Sequence, residues 1–209
     1  TMLGNFLGMK NVLEYARAKN IERVMYVSSA EIYGQPLEEM KEFSENTRGY
    51  IDNIKVRACY PISKQAAETL CSAYKDQYNV NVVIARPCHT YGPTATESDT
   101  RAATQFIYNI VNNEDIIMKS EGKQLRSYCY VGDCASGMLT ILTNGKKGEV
   151  YNIANKNSNI TIREFAEKVA TIGKQKIIFE DATVLEQKGY NMFDRTIINA
   201  SKLEKLGWN

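Results

Sequence analysis

The chain has 209 residues, of which 44% are hydrophobic and 24% are charged, and its formal net charge is +2. This length and these proportions are those of a globular protein with one domain, or one domain with a small appendage, and they exclude disordered, collagen-like and low-complexity chains. The near-neutral charge argues against a nucleic-acid partner, and the lack of a long apolar run argues against a transmembrane helix.

The first ninety residues alternate between helical and strand patterns. Apolar residues recur at helical spacing in two segments, and two short apolar runs have the composition of buried strands. These patterns predict, in chain order, a helix over 5–19, a strand over 23–29, a long polar loop over 35–58, a helix over 62–78 and a strand over 80–85. Strands that alternate with helices in this way favour a parallel, doubly wound sheet.

The rest of the chain mixes shorter helices and strands. We predict helices over 102–113, 134–143, 162–172 and 201–206, and strands over 115–119, 124–131, 150–154 and 176–180. Asp133 is the predicted N-cap of the helix over 134–143. Thr161 and Glu164 have the spacing of a capping box at the start of the helix over 162–172.

The cysteines and the first residues bear on the cellular compartment. Five cysteines form an odd, irregularly spaced set, which is typical of free thiols in a reducing compartment. Cys129 and Cys134 form a single C-x4-C motif, but the chain has one histidine and no second such motif, so we expect no metal site. The opening residues lack the basic start and apolar core of a signal peptide, which favours a cytoplasmic location.

Tyr60 and Lys64 are the first candidates for chemistry. They lie one helical turn apart, and a nearby cation lowers the pKa of a tyrosine so that it can act as a base. The spacing alone is not specific, because Tyr15 and Lys19 share it at the end of another predicted helix. We interpret that second pair as a solvated helix end.

The surroundings of Tyr60 strengthen its candidacy. Ser28 and Ser29 end a predicted buried strand, and Glu31 follows directly, so hydroxyls, a carboxylate and the Tyr/Lys pair would meet at one edge of the sheet. The alternative is that the two serines only cap a turn and that Tyr60 packs in the core.

At these residues the chain resembles a known family, the extended short-chain dehydrogenase/reductases that act on nucleotide sugars. The matching stretches occur in the family's order and are NFLGMKNVLE (5–14), VMYVSSAEIYG (24–34), YPISKQAAE (60–68), ARPCHTYGP (85–93), GKQLRSYCYVGD (122–133) and SKLEKLGW (201–208). The stretches around Tyr60 and Arg126 are most similar to the UDP-glucuronate decarboxylase branch. The resemblance implies a partial Rossmann-like parallel sheet over 1–92 and a smaller C-terminal α/β substrate-binding lobe over 93–209, which interleave in space.

The resemblance also implies catalytic roles. Ser29 would hydrogen-bond the sugar 4-hydroxyl, and Tyr60 would be the base that removes its proton. Lys64 would bind the nicotinamide ribose and lower the pKa of Tyr60, and Glu31 matches a carboxylate that the dehydratase and decarboxylase branches use. Ala30 stands where 4,6-dehydratases carry an acidic residue, which counts against that reaction.

The implied ligands are NAD and a nucleotide-diphosphate sugar. Ser28 and Pro87, together with Tyr60 and Lys64, would contact the cofactor, and Arg126 would clamp the substrate diphosphate. His89 stands where the family usually has a substrate-contacting asparagine, so the identity of the sugar stays open.

The implied function is that of an NAD-dependent nucleotide-sugar epimerase or dehydratase that oxidises its substrate transiently at C4. UDP-glucuronate decarboxylation is one alternative, a non-catalytic assembly or binding domain without cofactor is a second, and reduction of a small carbonyl substrate is a weaker third. We expect a homo-oligomer formed through the helices over 5–19 and 62–78, in which another chain or a rearranged segment covers the strand over 24–28. We expect no nucleic-acid or membrane partner.

One family feature is missing from the 209 residues. They contain neither a G-x-G-x-x-G nor a G-x-x-G-x-x-G motif, the glycine-rich loop that holds the NAD pyrophosphate at a helix N-terminus. We therefore expect these residues to be the catalytic and substrate-binding part of a longer enzyme.

This expectation gives a first testable prediction. Residues 1–209 alone should show no turnover and very weak or no binding of NAD in calorimetry, because the loop that holds the pyrophosphate is missing. Micromolar binding of NAD by this chain would contradict the prediction.

Overall fold

The computed structural model describes residues 1–94, 96, 98–183 and 193–209. The helices are α1 (Met2–Ala18), α2 (Cys59–Tyr78), α3 (Ala102–Val111), α4 (Val131–Asn144), α5 (Ile162–Gly173) and α6 (Ser201–Glu204), with short 3₁₀ helices at Ala30–Tyr33 and Val56–Ala58. The strands are β1 (Val24–Val27), β2 (Val82–Pro87), β3 (His89–Tyr91), β4 (Ile116–Met118), β5 (Leu125–Tyr130), β6 (Val150–Ile153), β7 (Asn159–Thr161), β8 (Ile177–Phe179) and β9 (Arg195–Thr196). Of the helices described, none is long and apolar enough to span a membrane.

The first sheet is parallel and has helices on both faces. Its strand order is β1-β2-β6. Alternate residues of β2 enter different cores: Val82 and Ile84 pack with α1 and α2, whereas Val83 and Ala85 pack in a second core with α4. A strand that is apolar on both faces is the pattern of a buried parallel sheet, so the predicted α/β class with a Rossmann-like parallel sheet is confirmed.

The second sheet is built around β5. It pairs in parallel with β3 and β9 and antiparallel with β7. A separate parallel pair, β4 and β8, packs with α3 and α5 in a third apolar core that includes Phe106, Met118 and Phe165. Strand β3 begins two residues after β2 ends and pairs with β5, so the end of β2 leads directly into the second sheet.

Most predicted elements are confirmed, and their termini shift by a few residues. Thr161 and Glu164 form the predicted capping box at the start of α5. The prediction that Asp133 is an N-cap is wrong: Tyr130 is the N-cap of α4, and Asp133 is the third helical residue. The reason is that β5 passes into α4 without a loop, and the Asp133 carboxylate still lies in the first turn, where the helix dipole favours it.

Three strands and the true start of α2 were not predicted. The strands β3, β7 and β9 have two or three residues each and exist because they pair with β5, so no periodic pattern marks them. Helix α2 begins at Cys59, three residues before the predicted start, and so includes Tyr60. Pro61 fits there because a helix has no internal acceptor for its first backbone N–H groups.

A buried ion pair joins the sheet to α2. The Arg86 guanidinium of β2 donates to both Glu68 carboxylate oxygens of α2, at 2.9 and 2.5 Å, and the exposed fractions of the two side chains are 1% and 11%. Arg86 also donates to the Tyr33 hydroxyl at 2.9 Å and to the Glu45 carbonyl at 3.0 Å. Buried polar groups are stable when their partners are all present, so this pair fixes α2 on the sheet.

We predict that Glu68→Gln destabilises the fold by about 3–5 kcal/mol, because it leaves the buried Arg86 charge without its counter-ion. Urea unfolding followed by circular dichroism measures the change. Glu149→Gln is the matched control: Glu149 pairs with Lys202 at the surface, and its loss should cost less than about 1 kcal/mol. Equal effects of the two substitutions would contradict the prediction.

Candidate active site

Tyr60 and Lys64 lie where β1 ends. Tyr60 is half-buried near the start of α2 and belongs to none of the three apolar cores. The Lys64 ammonium lies 5.9 Å from the centre of the Tyr60 ring and 5.0 Å from that of Tyr26, and it donates to the Val27 carbonyl at 2.8 Å. Burial lowers the pKa of Lys64, and the nearby Glu68 carboxylate opposes that shift. The lysine therefore joins the end of β1 to the tyrosine.

Ser28 and Ser29 follow β1 and differ in their contacts. The backbone N–H of Ser28 donates to the Ala85 carbonyl at 2.8 Å and so continues the pairing of β1 with β2. Its hydroxyl oxygen is buried and has no hydrogen-bond partner among the described residues. The Ser29 hydroxyl accepts from the Glu31 backbone N–H at 3.2 Å and caps the 3₁₀ helix. The alternative interpretation of these residues was that the serines only cap a turn and that Tyr60 packs in the core. Ser29 does cap a turn, but Tyr60 is not a core residue.

Glu31 forms an ion pair that no pattern in the sequence predicts. The Arg57 guanidinium donates to its carboxylate at 2.6 Å, and the exposed fractions of the Arg57 and Glu31 side chains are 35% and 24%. Arg57 lies three residues before Tyr60, in the 3₁₀ turn that leads into α2. The pair therefore joins the segment after β1 to the segment that carries the tyrosine.

His89 is the first residue of β3 and lies beside Arg126 and Tyr128. Its ring centre is 5.8 Å from that of Tyr128, and its Nδ1 atom is buried without a hydrogen-bond partner among the described residues. Burial, aided by the charge of Arg126, lowers the pKa of His89 to about 4. The imidazole is therefore neutral near pH 7, and it can donate or accept a hydrogen bond.

Arg126 is a buried cation in β5, with 2% of its surface exposed. Its guanidinium donates to the carbonyls of Leu125 at 3.0 Å and Phe193 at 2.6 Å. Burial lowers the pKa of Arg126, and the charge of Glu31 is among the interactions that oppose this shift. The buried arginine and the carboxylate after β1 are thus within electrostatic range.

The structure places the predicted residues in two groups. Ser28, Ser29, Tyr60 and Lys64 surround the end of β1. His89 and Arg126 lie together on the second sheet, and Glu31 connects the groups through the electrostatic interaction with Arg126. Pro87 is the half-buried last residue of β2 and precedes His89 by two positions.

A cavity of about 220 Å³ opens beside these groups. Its lining residues are Thr90, Tyr91, Gly92, Pro93, Thr94, Arg101, Thr104 and Val131. Arg101 forms an ion pair with Asp99 and interacts electrostatically with Tyr60, and neither contact is predicted by a sequence pattern. A larger groove of about 680 Å³ lies along α5 and contains none of the predicted site residues.

The candidate site offers mainly hydroxyl, ammonium and carboxylate groups. In the ranges that the structure describes, no group of three or more histidine, cysteine, aspartate or glutamate side chains is arranged to hold a metal ion. The arrangement offers a tyrosine beside a fixed ammonium, two serine hydroxyls and a carboxylate held by an arginine. These groups can bind hydroxyl-bearing ligands and transfer a proton.

Comparison with known sequences finds one family over most of the chain. A sequence profile of the NAD dependent epimerase/dehydratase family matches residues 1–154. The chain is 33% identical to UDP-glucuronic acid decarboxylase 6 of Arabidopsis thaliana over 208 residues, which is 100% of this chain and 58% of that protein. It is 32% identical to UDP-glucuronic acid decarboxylase 1 of Xenopus tropicalis, over 81% of this chain and 39% of the relative. The chain thus spans roughly half the length of these relatives.

Comparison with solved structures finds the same fold at lower identity. A dTDP-glucose 4,6-dehydratase from Bacillus anthracis in complex with NAD superposes with a TM-score of 0.80 at 24% identity, over 97% of this chain and 61% of that one. A UDP-glucuronic acid 4-epimerase from Bacillus cereus in complex with UDP-glucuronic acid and NAD superposes with a TM-score of 0.82 at 20% identity, over 100% of this chain and 62% of that one.

The buried His89 gives a pH prediction. Its ring should titrate near pH 4 in the folded chain, well below the ordinary value of about 6.5, and as the single histidine its nitrogen NMR signals are unambiguous. Between those two pH values the unfolded chain binds a proton that the folded chain does not, so stability should fall as the pH falls. His89→Asn should remove that part of the pH dependence. A titration midpoint near pH 6.5 would contradict this assignment.

Proposed function

The chain belongs to the NAD-dependent epimerase/dehydratase family, a family of enzymes, and from that premise we propose that it carries the catalytic and substrate-binding part of an enzyme that transiently oxidises a nucleotide sugar at C4. One observation carries the proposal: Lys64 joins the Tyr60 ring to the Val27 carbonyl at the end of β1. A tyrosine hydroxyl beside a fixed ammonium is an arrangement that can transfer a proton to and from a substrate hydroxyl.

The catalytic roles follow from the geometry around Tyr60. Tyr60 takes the proton of the sugar 4-hydroxyl and later returns it. The hydrogen bond from the Lys64 ammonium to the Val27 carbonyl keeps the lysine in place beside the Tyr60 ring. Ser29 orients the 4-hydroxyl; its oxygen already accepts one backbone hydrogen bond, which leaves its O–H free to donate.

The residues at the end of β1 fit the nicotinamide half of NAD. The buried Ser28 hydroxyl without a partner and the Lys64 ammonium are donors suited to a ribose and an amide. When bound, NAD supplies the capacity to accept a hydride from C4 and to return it. Ser28, Lys64 and Pro87 would hold the nicotinamide and its ribose, whereas the glycine-rich loop for the pyrophosphate is not among these 209 residues.

Within this class we propose UDP-glucuronate as the substrate and decarboxylation as the reaction. The curated relatives described above, at 32% and 33% identity, are UDP-glucuronic acid decarboxylases. A ketone at C4 makes the C6 carboxylate a β-keto acid. The C5–C6 bond breaks, CO₂ leaves, its electron pair forms the C4–C5 enolate, and a proton then adds at C5 to restore the ketone. The Glu31 carboxylate is held in place by Arg57, and we assign it the role of orienting the substrate for these proton transfers.

Arg126 and His89 are the proposed contacts to the remainder of the substrate. A guanidinium matches the paired oxygens of a diphosphate, and binding would exchange its carbonyl partners for phosphate oxygens. His89, neutral beside Arg126, can offer its buried Nδ1 to a hydroxyl. Epimerisation at C4 uses the same groups and is the alternative within the family.

A second candidate function is a non-catalytic binding or assembly domain. The observation that favours it is that the 209 residues contain no glycine-rich phosphate loop. Such a domain would bind the nucleotide sugar through the second sheet without turnover. Binding of the nucleotide sugar with no activity, even when an NAD-binding segment is supplied, would identify it.

Two organisational features complete the proposal. We place the boundary between the Rossmann-like part and the substrate-binding lobe at residues 92 and 93, with β6 returning to the first sheet. We also propose a homo-oligomer through α1 and α2. Exposed apolar side chains on α1, with 74% of Leu3 and 49% of Val12 accessible, support such a contact.

The test compares two tyrosines with the same lysine spacing. In a chain where a glycine-rich NAD-binding segment precedes these residues, Tyr60→Phe should lower turnover of UDP-glucuronate by about a hundredfold to ten-thousandfold. Its affinity for UDP-glucuronate should change little, because one oxygen is lost. Tyr15→Phe is the control, since Tyr15 is exposed on α1 and also precedes a lysine by four positions. Loss of turnover in Tyr15→Phe but not in Tyr60→Phe would overturn the assignment.

A further inference from the structure

Tyr26 is a buried tyrosine to which the proposed reaction gives no role. It is the third residue of β1, and 7% of its surface is exposed. Its ring belongs to the core between the first sheet and helices α1 and α2, together with Ala67, Cys71 and Tyr74 of α2. Close packing in this core fixes the orientation of the ring. Its hydroxyl oxygen is buried and has no hydrogen-bond partner in the part of the chain that the structure describes, so the hydroxyl does not explain a tyrosine here.

The face of the Tyr26 ring is covered by the Lys64 ammonium. The Lys64 Nζ atom lies 5.0 Å from the centre of this ring and 5.9 Å from that of the Tyr60 ring. It also donates to the carbonyl of Val27, the residue after Tyr26, at 2.8 Å. An ammonium within about 6 Å of a ring centre is attracted by the negative face of the ring, more strongly where water is displaced. Burial raises the pKa of Tyr26, so the ring is a neutral phenol and the contact is a cation–π interaction.

Two consecutive residues of β1 therefore hold one ammonium. A lysine side chain has four rotatable bonds, and ordering it costs conformational entropy at the moment when it becomes fixed. The Tyr26 ring is fixed by the core and the Val27 carbonyl by the strand backbone, so neither contact needs a bound ligand. We propose that Tyr26 is a positioning residue, whose ring face holds the Lys64 ammonium at the end of β1 before cofactor and substrate bind. The inference rests on the role proposed above for Lys64.

Fluorination of the ring at position 26 tests the proposal, because fluorine withdraws electrons from the ring face and changes the shape of the ring little. The 209-residue chain is prepared as Tyr26→Phe and with phenylalanine that carries one, two or three fluorine atoms. Each protein is acetylated with a trace of acetic anhydride near neutral pH and cut with trypsin. Only the neutral amine reacts, so the labelling rate of Lys64 rises when its ammonium loses stabilisation. Acetylated Lys64 is identified in peptide 58–75, because trypsin does not cut after acetyl-lysine.

We expect the labelling rate of Lys64 to rise stepwise with the number of fluorine atoms, by about fivefold to thirtyfold from the unfluorinated to the trifluorinated ring. Tyr26→Phe should be labelled like the unsubstituted chain, because it keeps the ring face and loses only a hydroxyl without a partner among the described residues. Lys19, which is exposed just after α1, is the internal control, and its rate in peptide 18–23 should not change.

A Lys64 rate that does not depend on the number of fluorine atoms would overturn the proposal. A change in Tyr26→Phe as large as the change across the fluorinated series would also overturn it, because the hydroxyl would then matter more than the ring face.

The affinity for NAD tests the consequence for the site. In a chain where a glycine-rich NAD-binding segment precedes these residues, the dissociation constant of NAD should rise in the same order as the labelling rate, because Lys64 is less well held for the ribose. A dissociation constant that is equal across the series would overturn the positioning role. Neither measurement uses turnover, so a chain that binds NAD but does not convert UDP-glucuronate would overturn the proposed reaction and not this inference.

Discussion

The buried charge of Arg86 is the constraint on which the rest of the site depends. A guanidinium inside a protein is tolerated only when its donors are paired, and Arg86 takes its partners from α2, from the 3₁₀ helix after β1 and from the long loop. The Tyr33 hydroxyl donates to Asn152 of β6 at 2.7 Å, and that amide donates to the carbonyls of Phe43 and Asn199. Segments that are distant in sequence are thus held around one cation.

This network explains why the site residues keep their positions. Glu68 lies one helical turn after Lys64 on α2. The Arg86–Glu68 ion pair therefore also fixes the position of Lys64 relative to the end of β1. Tyr33 closes the 3₁₀ helix that contains Glu31. The Arg57–Glu31 ion pair, which is nearer the surface, also joins this 3₁₀ helix to the segment that leads into α2. The groups proposed for proton transfer are therefore positioned by two ion pairs of different burial, one in the core and one at the rim.

Local patterns in the sequence were sufficient to predict most helices and the longer strands, but they did not predict the side-chain pairs between distant segments. The capping box at Thr161 and the apolar runs of β1 and β2 depend only on residues close in sequence, so they could be predicted from the sequence alone. Arg86 and Glu68 are 18 residues apart, and Arg57 and Glu31 are 26 apart, so neither pair has a spacing that signals contact. Tyr60 and Lys64 were found because their pairing lies within one helix turn, whereas the contact of Lys64 with Val27 required the fold.

The strand order has a consequence for how the chain acquires its structure. The central strand β2 pairs with β1 and β6, each of which lies a long stretch of sequence away. Closing such loops costs entropy before any pairing repays it, so a sheet of this kind assembles slowly compared with local helices. Until β6 arrives, β2 has an open edge and Arg86 lacks part of its network. During synthesis and refolding, this interval is when the chain is most exposed to aggregation and most in need of chaperones.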